Sequence, residues 1–352
     1  MAEILKKILY IASEPAPGMV PFASSIINSA KSSGMEVWAI TVSKAELSFS
    51  DVICEDVHLF DTSYPTTLWG KFKFHFFPAK LYRTIRKVAD SNGIEEIHFL
   101  TGEYGMGVCF TSLINRIYSL TYIVHDWDQH PSGNDNNNVL SKLFEWWFHR
   151  MTHFNARVSN CLATCSRSQY ECLCKISSFA GKQIIYFPFP SLVTKSIIDG
   201  SEVCPELVGG GEKYILFFGR VCFYKGIHIL YNAFLTSRLA DKYKLVIAGE
   251  GDIYFCHRSD ERNVIFINRF IPDSEINFLF SNSDFVVYPY LQVTMSGVLQ
   301  MAHYFGKRTI ISDLPFFLDN MIESDMRFEC GNEDSLCAKM EQMANEMSLI
   351  NN

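Results

Sequence analysis

The stretch from Tyr214 to Gly251 constrains the fold most. It reads YILFFGRVCFYKGIHILYNAFLTSRLADKYKLVIAGEG, an apolar run, a glycine turn, a segment of helical period, and a second apolar run closed by Gly249-Glu250-Gly251. Strand, tight turn, helix and strand in that order make a βαβ unit. Doubly wound sheets built from such units bind ligands just beyond the carboxyl ends of their strands. Arg220 and Lys225 stand at that place, and two fixed cations there point to a pyrophosphate.

The chain has 352 residues, too many for one ordinary core and suited to two domains of roughly 150 to 200 residues each. The first half opens with a strand at Ile8 to Ala12, a loop holding Pro15, Pro17 and Gly18, a helix from Val20 to Ser33 and a strand from Glu36 to Val42. Further apolar runs at Glu96 to Leu100, Leu120 to Val124, Cys161 to Thr164 and Gln183 to Phe187 alternate with helical stretches. The pattern breaks around Pro188, Pro190 and Gly200 to Gly211. Strands then resume at Tyr214 to Phe218, Lys244 to Ala248, Val264 to Ile267, Phe285 to Tyr288 and Thr309 to Ile311. The alternation predicts an α/β protein of two Rossmann-like, doubly wound parallel-sheet domains facing a cleft, residues 1–200 and 201–332. Residues 333–352 begin with a helix, Glu333 to Met347, that is free to cross back onto the first lobe.

Hydrophobic residues make up 48% and charged residues 20%, which places the chain among globular proteins. A net charge of −7 argues against a general nucleic-acid binder, which needs a basic face to displace counterions. Eleven cysteines, with no long apolar segment after Met1 to Lys7, point to a reducing, cytoplasmic setting. Cys161, Cys165, Cys172 and Cys174 lack the paired arms of a zinc site, and the segment scans as helix, so buried thiols are expected. No apolar run reaches the ~18 residues that a bilayer span requires.

Gly219-Arg220 follows a strand, and Lys225-Gly226 opens the next helix. A phosphate there meets free backbone N–H groups, the positive end of the helix dipole, the fork of an arginine and the point charge of a lysine. Taken alone, G-R-x4-K-G is also compatible with two solvated surface cations. Gly249-Glu250-Gly251 and Asn268-Arg269-Phe270-Ile271-Pro272-Asp273 close two more strands, and Tyr288-Pro289-Tyr290 is followed by Thr294, Ser296 and Gly297.

With these motifs the whole second domain resembles, in order and spacing, the donor-binding domain of GT-B glycosyltransferases of the large retaining family four. The resemblance implies that Arg220 and Lys225 hold a donor diphosphate. It also implies that Gly219, Glu250, Asn268, Phe270, Tyr290, Thr294, Ser296, Gly297 and Val298 line a UDP- or GDP-linked sugar, with neither cofactor nor metal. The family usually has two glutamates eight residues apart after the motif that here reads Tyr288-Pro289-Tyr290. Here one register supplies Val293 and Met301 and the other Gln292 and Gln300, so the sugar contacts depart from the pattern.

In the first domain a strand runs into His125-Asp126-Trp127-Asp128-Gln129-His130-Pro131, which puts titratable groups at the sheet's carboxyl edge. The segment resembles the family's histidine-aspartate element, which implies that His125 approaches the transferred sugar as a third catalytic residue. A structural histidine, an N-capping Asp126, or a metal held by His125, Asp126 and His130 are the alternatives. Gly18, Glu103, Tyr104, Asp126 and His130, together with Glu14, are candidates for the acceptor side. Gly102, Gly105 and Gly107 run in the wrong order for a dinucleotide fingerprint, and no G-x-G-x-x-G follows the first strand, which argues against an NAD-dependent oxidoreductase.

Phe77 to Asp90 sets Leu81, Ile85 and Val88 on one helical face, ringed by Lys80, Arg83, Arg86 and Lys87, with Lys71 and Lys73 just before. This basic patch at 71–87 suits peripheral contact with anionic lipid at the inner face of a membrane; an ordinary surface helix packing one stripe is the alternative. The aromatic run Phe144, Trp146, Trp147 and Phe148 reads as core. The expected activity is sugar transfer from a nucleotide-sugar donor to a glycan or lipid-linked acceptor, as in surface polysaccharide assembly. The competing reading is a relative that binds nucleotide sugar or glycan without catalysis.

Overall fold

The structure is a computed structural model that describes residues 6–45, 47–102, 111–127, 139–207, 213–257 and 263–350. Among them, one unit ends at Leu192 and a second starts at Val193. The first carries strands β1 (Lys7–Ala12), β2 (Glu36–Ser43), β3 (His58–Ser63), β4 (Glu96–Phe99), β5 (Ser119–Ile123), β6 (Cys161–Thr164) and β7 (Gln183–Tyr186). They form one parallel sheet in the order β3-β2-β1-β4-β5-β6-β7. The second carries β8 (Tyr214–Phe218), β9 (Lys244–Ala248), β10 (Val264–Ile267), β11 (Phe285–Tyr288), β12 (Thr309–Ser312) and β13 (Met326–Phe328). These are parallel too, in the order β10-β9-β8-β11-β12-β13.

The central strands are mostly apolar because both faces are covered. β2 is buried from Val37 to Ser43, and β8 from Tyr214 to Phe217. Each sheet reverses its winding once. β1 pairs with β2 (Ile8 opposite Val37) on one side and with β4 (Ile8 opposite Glu96) on the other. β8 does the same between β9 (Ile215 opposite Leu245) and β11 (Ile215 opposite Phe285). At such a switch the loops leave toward opposite faces and open a crevice past the strand ends.

Several expectations need correction. The connection falls between Leu192 and Val193 rather than after residue 200. Thr194 and Ser196 both donate to Asp273 Oδ2 (2.8 and 2.6 Å), and Glu202 N bonds the Ser274 carbonyl, so residues from 194 onward are tied to the helix Asp273–Asn282. The final helix, Glu333–Ile350, packs on its own unit's helix Ile227–Thr236. Leu336, Met340 and Met343 are fully buried, and Glu346 pairs with Arg308 at 2.7 Å.

Cys161 lies in β6 and Cys165 just after it, both buried, while Cys172 and Cys174 are exposed on the helix Arg167–Lys175. The four thiols are thus split between strand and helix. The aromatic run is not core: Trp146 is 59% exposed, and Trp147 and Phe148 are half-buried. Phe144's side chain lies outside the described part. The basic segment is two helices, Leu68–Phe76 and Ala79–Asn92, separated at Phe77-Pro78. No helix among the described residues is long and apolar enough to cross a membrane.

Candidate functional site

In the second unit the loops after β8, β9 and β10 are laced together. Gly219 N bonds the Ala248 carbonyl (3.0 Å), Val221 N the Glu250 carbonyl (2.9 Å), and Gly251 N the Asn268 side chain (3.1 Å). Gly249 has φ +144°, and a Cβ there would lie 2.0 Å from the Gly219 carbonyl oxygen, so only glycine fits where the two loops cross.

After β8 the chain runs through a short 3-10 turn, Phe223–Lys225, into the helix Ile227–Thr236. Gly226, at the hinge, has φ +65°, and a Cβ on it would sit 1.9 Å from the Pro289 carbonyl oxygen. Leu291 N also bonds the Tyr224 carbonyl at 2.8 Å. These two contacts bring the loop after β11 against the loop after β8, across the switch point. Lys225 Nζ is thereby seated 3.7 Å from the centre of the Tyr290 ring and 5.0 Å from that of Tyr224.

Lys225 is half-buried and Arg220 is exposed; neither makes an ion pair among the described residues. Burial lowers the Lys225 pKa and nearby Arg220 adds to the drop, while Tyr224 and Cys222 act the other way. A partly desolvated ammonium held on aromatic faces beside an exposed guanidinium attracts an anion more strongly than two solvated cations would. Tyr290 is fully buried, and its hydroxyl has no hydrogen-bond partner of good geometry. Burial pushes its pKa well up, with neighbouring Ser296, itself 7% exposed, pulling the other way.

The remaining residues expected around the donor differ in role. Glu250 is exposed, and its carbonyl serves the β8 loop. Asn268 spends its side-chain oxygen on Gly251. Phe270 is 44% exposed. Thr294 is half-buried and Gly297 caps the helix Val298–Tyr304, whose seven residues support only a weak dipole. The Val298 carbonyl accepts from the Tyr288 hydroxyl at 2.7 Å.

At the places of the family's glutamates, Met301 is core at 6% exposure, Val293 is half-buried and Gln292 is exposed. Gln300 donates weakly to Asn320 at 3.4 Å and leaves its own oxygen buried without a partner. Neighbouring Arg269 is fully engaged by Glu206 (2.8 and 2.9 Å) and Glu275 (3.1 and 2.6 Å). Cys204, Glu206 and Glu275 converge like metal ligands, but both carboxylates already accept from this guanidinium, which also reaches the Cys204 sulfur.

In the first unit the loops after β1, β4 and β5 meet at the other switch point. Gly102 N donates to Glu14 Oε2 (3.3 Å), and Ser13 N to Thr101 Oγ1 (3.0 Å). His125 is half-buried; its Nε2 donates to the Leu100 carbonyl at 2.7 Å, and its ring meets Phe22 edge-on at 4.9 Å. A neutral ring bonded that way presents Nδ1 as an acceptor. Gln169 holds the same loop, accepting from Trp127 N and donating to the Val124 carbonyl, both at 2.7 Å.

Asp126 is half-buried next to His125, and Gly18 is exposed at the start of the helix Met19–Ser32 with open space where a Cβ would be. Glu103, Tyr104 and His130 lie outside the described residues. Sequence reasoning missed Tyr224 and Gln169, and named Pro289 only as part of its motif. Tyr224 adjoins Lys225 in the chain and was the one findable signal; Gln169 acts through folding contacts between distant segments.

Residues 212–346 match the family described as Glycosyl transferases group 1. No curated protein sequence matches the chain. Among solved structures, sucrose-phosphate synthase from Thermosynechococcus elongatus is 15% identical with a TM-score of 0.65, over 97% of this chain and 90% of that one. Anabaena HepE in complex with UDP-glucose is also 15% identical, with a TM-score of 0.63 over 97% and 90%. The catalytic domain of starch synthase IV from Arabidopsis thaliana, bound to ADP and acarbose, is 11% identical with a TM-score of 0.67 over 97% and 92%. The second unit therefore carries a Glycosyl transferases group 1 match, on a chain whose two Rossmann-like domains have the GT-B fold.

Proposed function

We propose that the protein is a glycosyltransferase that moves a sugar from a nucleotide-sugar donor to a saccharide acceptor, with Arg220 and Lys225 holding the donor's diphosphate. The observation that carries this is the pair of cations at the β8–β11 switch, one exposed and one set on the Tyr290 ring, inside the matched segment. As the bond to the anomeric carbon breaks, negative charge grows on the leaving nucleotide, and stabilising that charge with fixed donors is the main catalytic task. Arg220 and Lys225, helped by the Ser296-Gly297 turn, supply that stabilisation without a metal. His125, through Nδ1, accepts a hydrogen bond from a sugar hydroxyl.

UDP-glucose in the HepE structure and ADP with a saccharide in starch synthase IV support a nucleoside diphosphate sugar as donor and a glycan as acceptor. Retention of configuration, a lipid-linked acceptor and a place in surface polysaccharide assembly belong to the same proposal.

The test is release of labelled sugar from a panel of UDP- and GDP-linked donors. Arg220→Ala lowers turnover by about 10²–10³-fold, the usual loss on removing one such donor, and EDTA leaves the wild-type rate unchanged. Wild-type turnover in Arg220→Ala would contradict the diphosphate assignment, and a chelator-sensitive rate restored by manganese would contradict the metal-free one. The absence of a carboxylate at Gln292, Val293, Gln300 and Met301 favours a second reading, a binder that does not transfer. That protein would bind nucleoside diphosphates and release no sugar from any donor.

A further inference from the structure

The helix Leu68–Phe76 takes no part in the site and buries none of its residues. Leu68 is 86% exposed, Trp69 64%, Phe72 43%, and Phe77 just beyond it 62%. The rings form a ladder: Trp69 stacks on Phe72 (5.4 Å), Phe72 on Phe76 (4.9 Å), and Phe76 meets Trp147 (5.3 Å) beside exposed Trp146. The next helix, Ala79–Asn92, spends its apolar stripe on the core through Ile85 and Val88. Among the described residues the uncovered apolar surface thus belongs to the first helix, Phe77 and Trp146 rather than to Ala79–Asn92, and a contiguous patch of this kind marks a contact site.

Charge identifies what covers it. From residue 62 to residue 89 there is no Asp or Glu, yet the segment carries Lys71, Lys73, Lys80, Arg83, Arg86 and Lys87 in a chain of net charge −7. Arg86 pairs with Asp90 (3.3 Å). The other five are exposed and make no ion pair among the described residues. Lys80, Arg83 and Lys87, with Phe60 and Thr84, line an open cavity of about 400 Å³, enough for a phosphate headgroup. Lys73 Nζ lies over the Trp69 ring at 5.1 Å, a cation–π contact that sets a positive charge on the exposed aromatic face. Nine residues are far too few to span a bilayer, but protruding Trp and Phe rings flanked by lysines fit a helix lying in the interface plane.

We infer that the helix Leu68–Phe76, together with the Lys80–Arg83–Lys87 cavity of the following helix, is a docking surface for a bilayer rich in anionic phospholipid. The rings enter the headgroup boundary and the cavity receives a lipid phosphate. Flotation of the full chain tests it, with phosphatidylcholine vesicles containing phosphatidylglycerol against pure phosphatidylcholine. The chain floats with the anionic vesicles, and less so as salt rises. At about fivefold per cation, Arg83→Glu with Lys87→Glu lowers partitioning at least about 25-fold. Trp69→Ser with Phe72→Ser lowers it as well, and both double variants keep the wild-type melting temperature and donor turnover. No flotation, equal flotation with both vesicle types, or a solution dimer that Trp69→Ser with Phe72→Ser dissolves would each overturn the inference, the last by showing a second copy on this face.

Discussion

Tyr290 is the residue on which the geometry of Lys225 rests, and it does so through its ring rather than its hydroxyl. The ammonium lies 3.7 Å from the ring centre, whereas the hydroxyl is buried without a good partner. Deleting an unsatisfied buried hydroxyl is close to neutral for stability, while removing the ring takes away a partly desolvated cation–π contact of about 2 kcal/mol and opens a core cavity. Tyr290→Phe therefore keeps wild-type affinity for a nucleoside diphosphate in calorimetric titration. Tyr290→Leu weakens it by about 30-fold and lowers the melting temperature. Equal losses in the two variants would assign the work to the hydroxyl. Arg220 and Lys225 stood out in the chain because one adjoins the glycine that ends a strand and the other the glycine that opens the next helix. Tyr290 was expected near the donor, but its ring contact with Lys225 was not, since β11 delivers the ring only once the sheet has paired.

Short apolar runs bounded by polar or turn residues mark themselves in the sequence, and β6, β8, β9, β10 and β11 begin and end where their composition changes. β3 escapes because it is an edge strand with polar, largely exposed residues. It is held partly by Asp61, which accepts from Thr41 and Ser43 on β2, both at 2.6 Å. β13 is three residues long, below what any period can show. Trp146 misled for a related reason: aromatic content does not say which face of a helix is covered. The clamp that ties residues 204–206 to the helix Asp273–Asn282 is an element-scale feature with a pH signature. The Arg269 guanidinium beside Glu206 holds that carboxyl down at about 2. A carboxyl depressed in the folded state contributes its full stabilisation above its ordinary value near 4.5, and the contribution is lost as pH falls toward about 2. Glu206→Gln is accordingly less stable than wild type at neutral pH, and its urea midpoint falls less steeply between about pH 4.5 and pH 2. An unchanged slope would show that the clamp contributes nothing to acid unfolding.

At the scale of the whole molecule, the same winding is used twice, and each sheet gathers conspicuous polar groups at its own reversal: the Glu14 carboxylate, the Gly102 N–H and His125 past β1, β4 and β5, and Arg220 and Lys225 past β8. That repetition was visible in the alternation of strands and helices, because parallel sheets demand crossovers of helical length. The point of division was not, because the contacts of Thr194, Ser196 and Glu202 with the start of the helix Asp273–Asn282 are made across a long stretch of chain. The central claim is that two cations in the second domain grip a diphosphate. It is tested most directly by titrating UDP, GDP and the parent nucleosides into the wild-type chain and into Arg220→Ala with Lys225→Ala. With each charge-assisted contact worth about 1.5 to 3 kcal/mol, the wild type binds one of the diphosphates at least about 100-fold more tightly than its nucleoside, and the double variant loses that preference. A double variant that still prefers the diphosphate to the same degree would contradict the account.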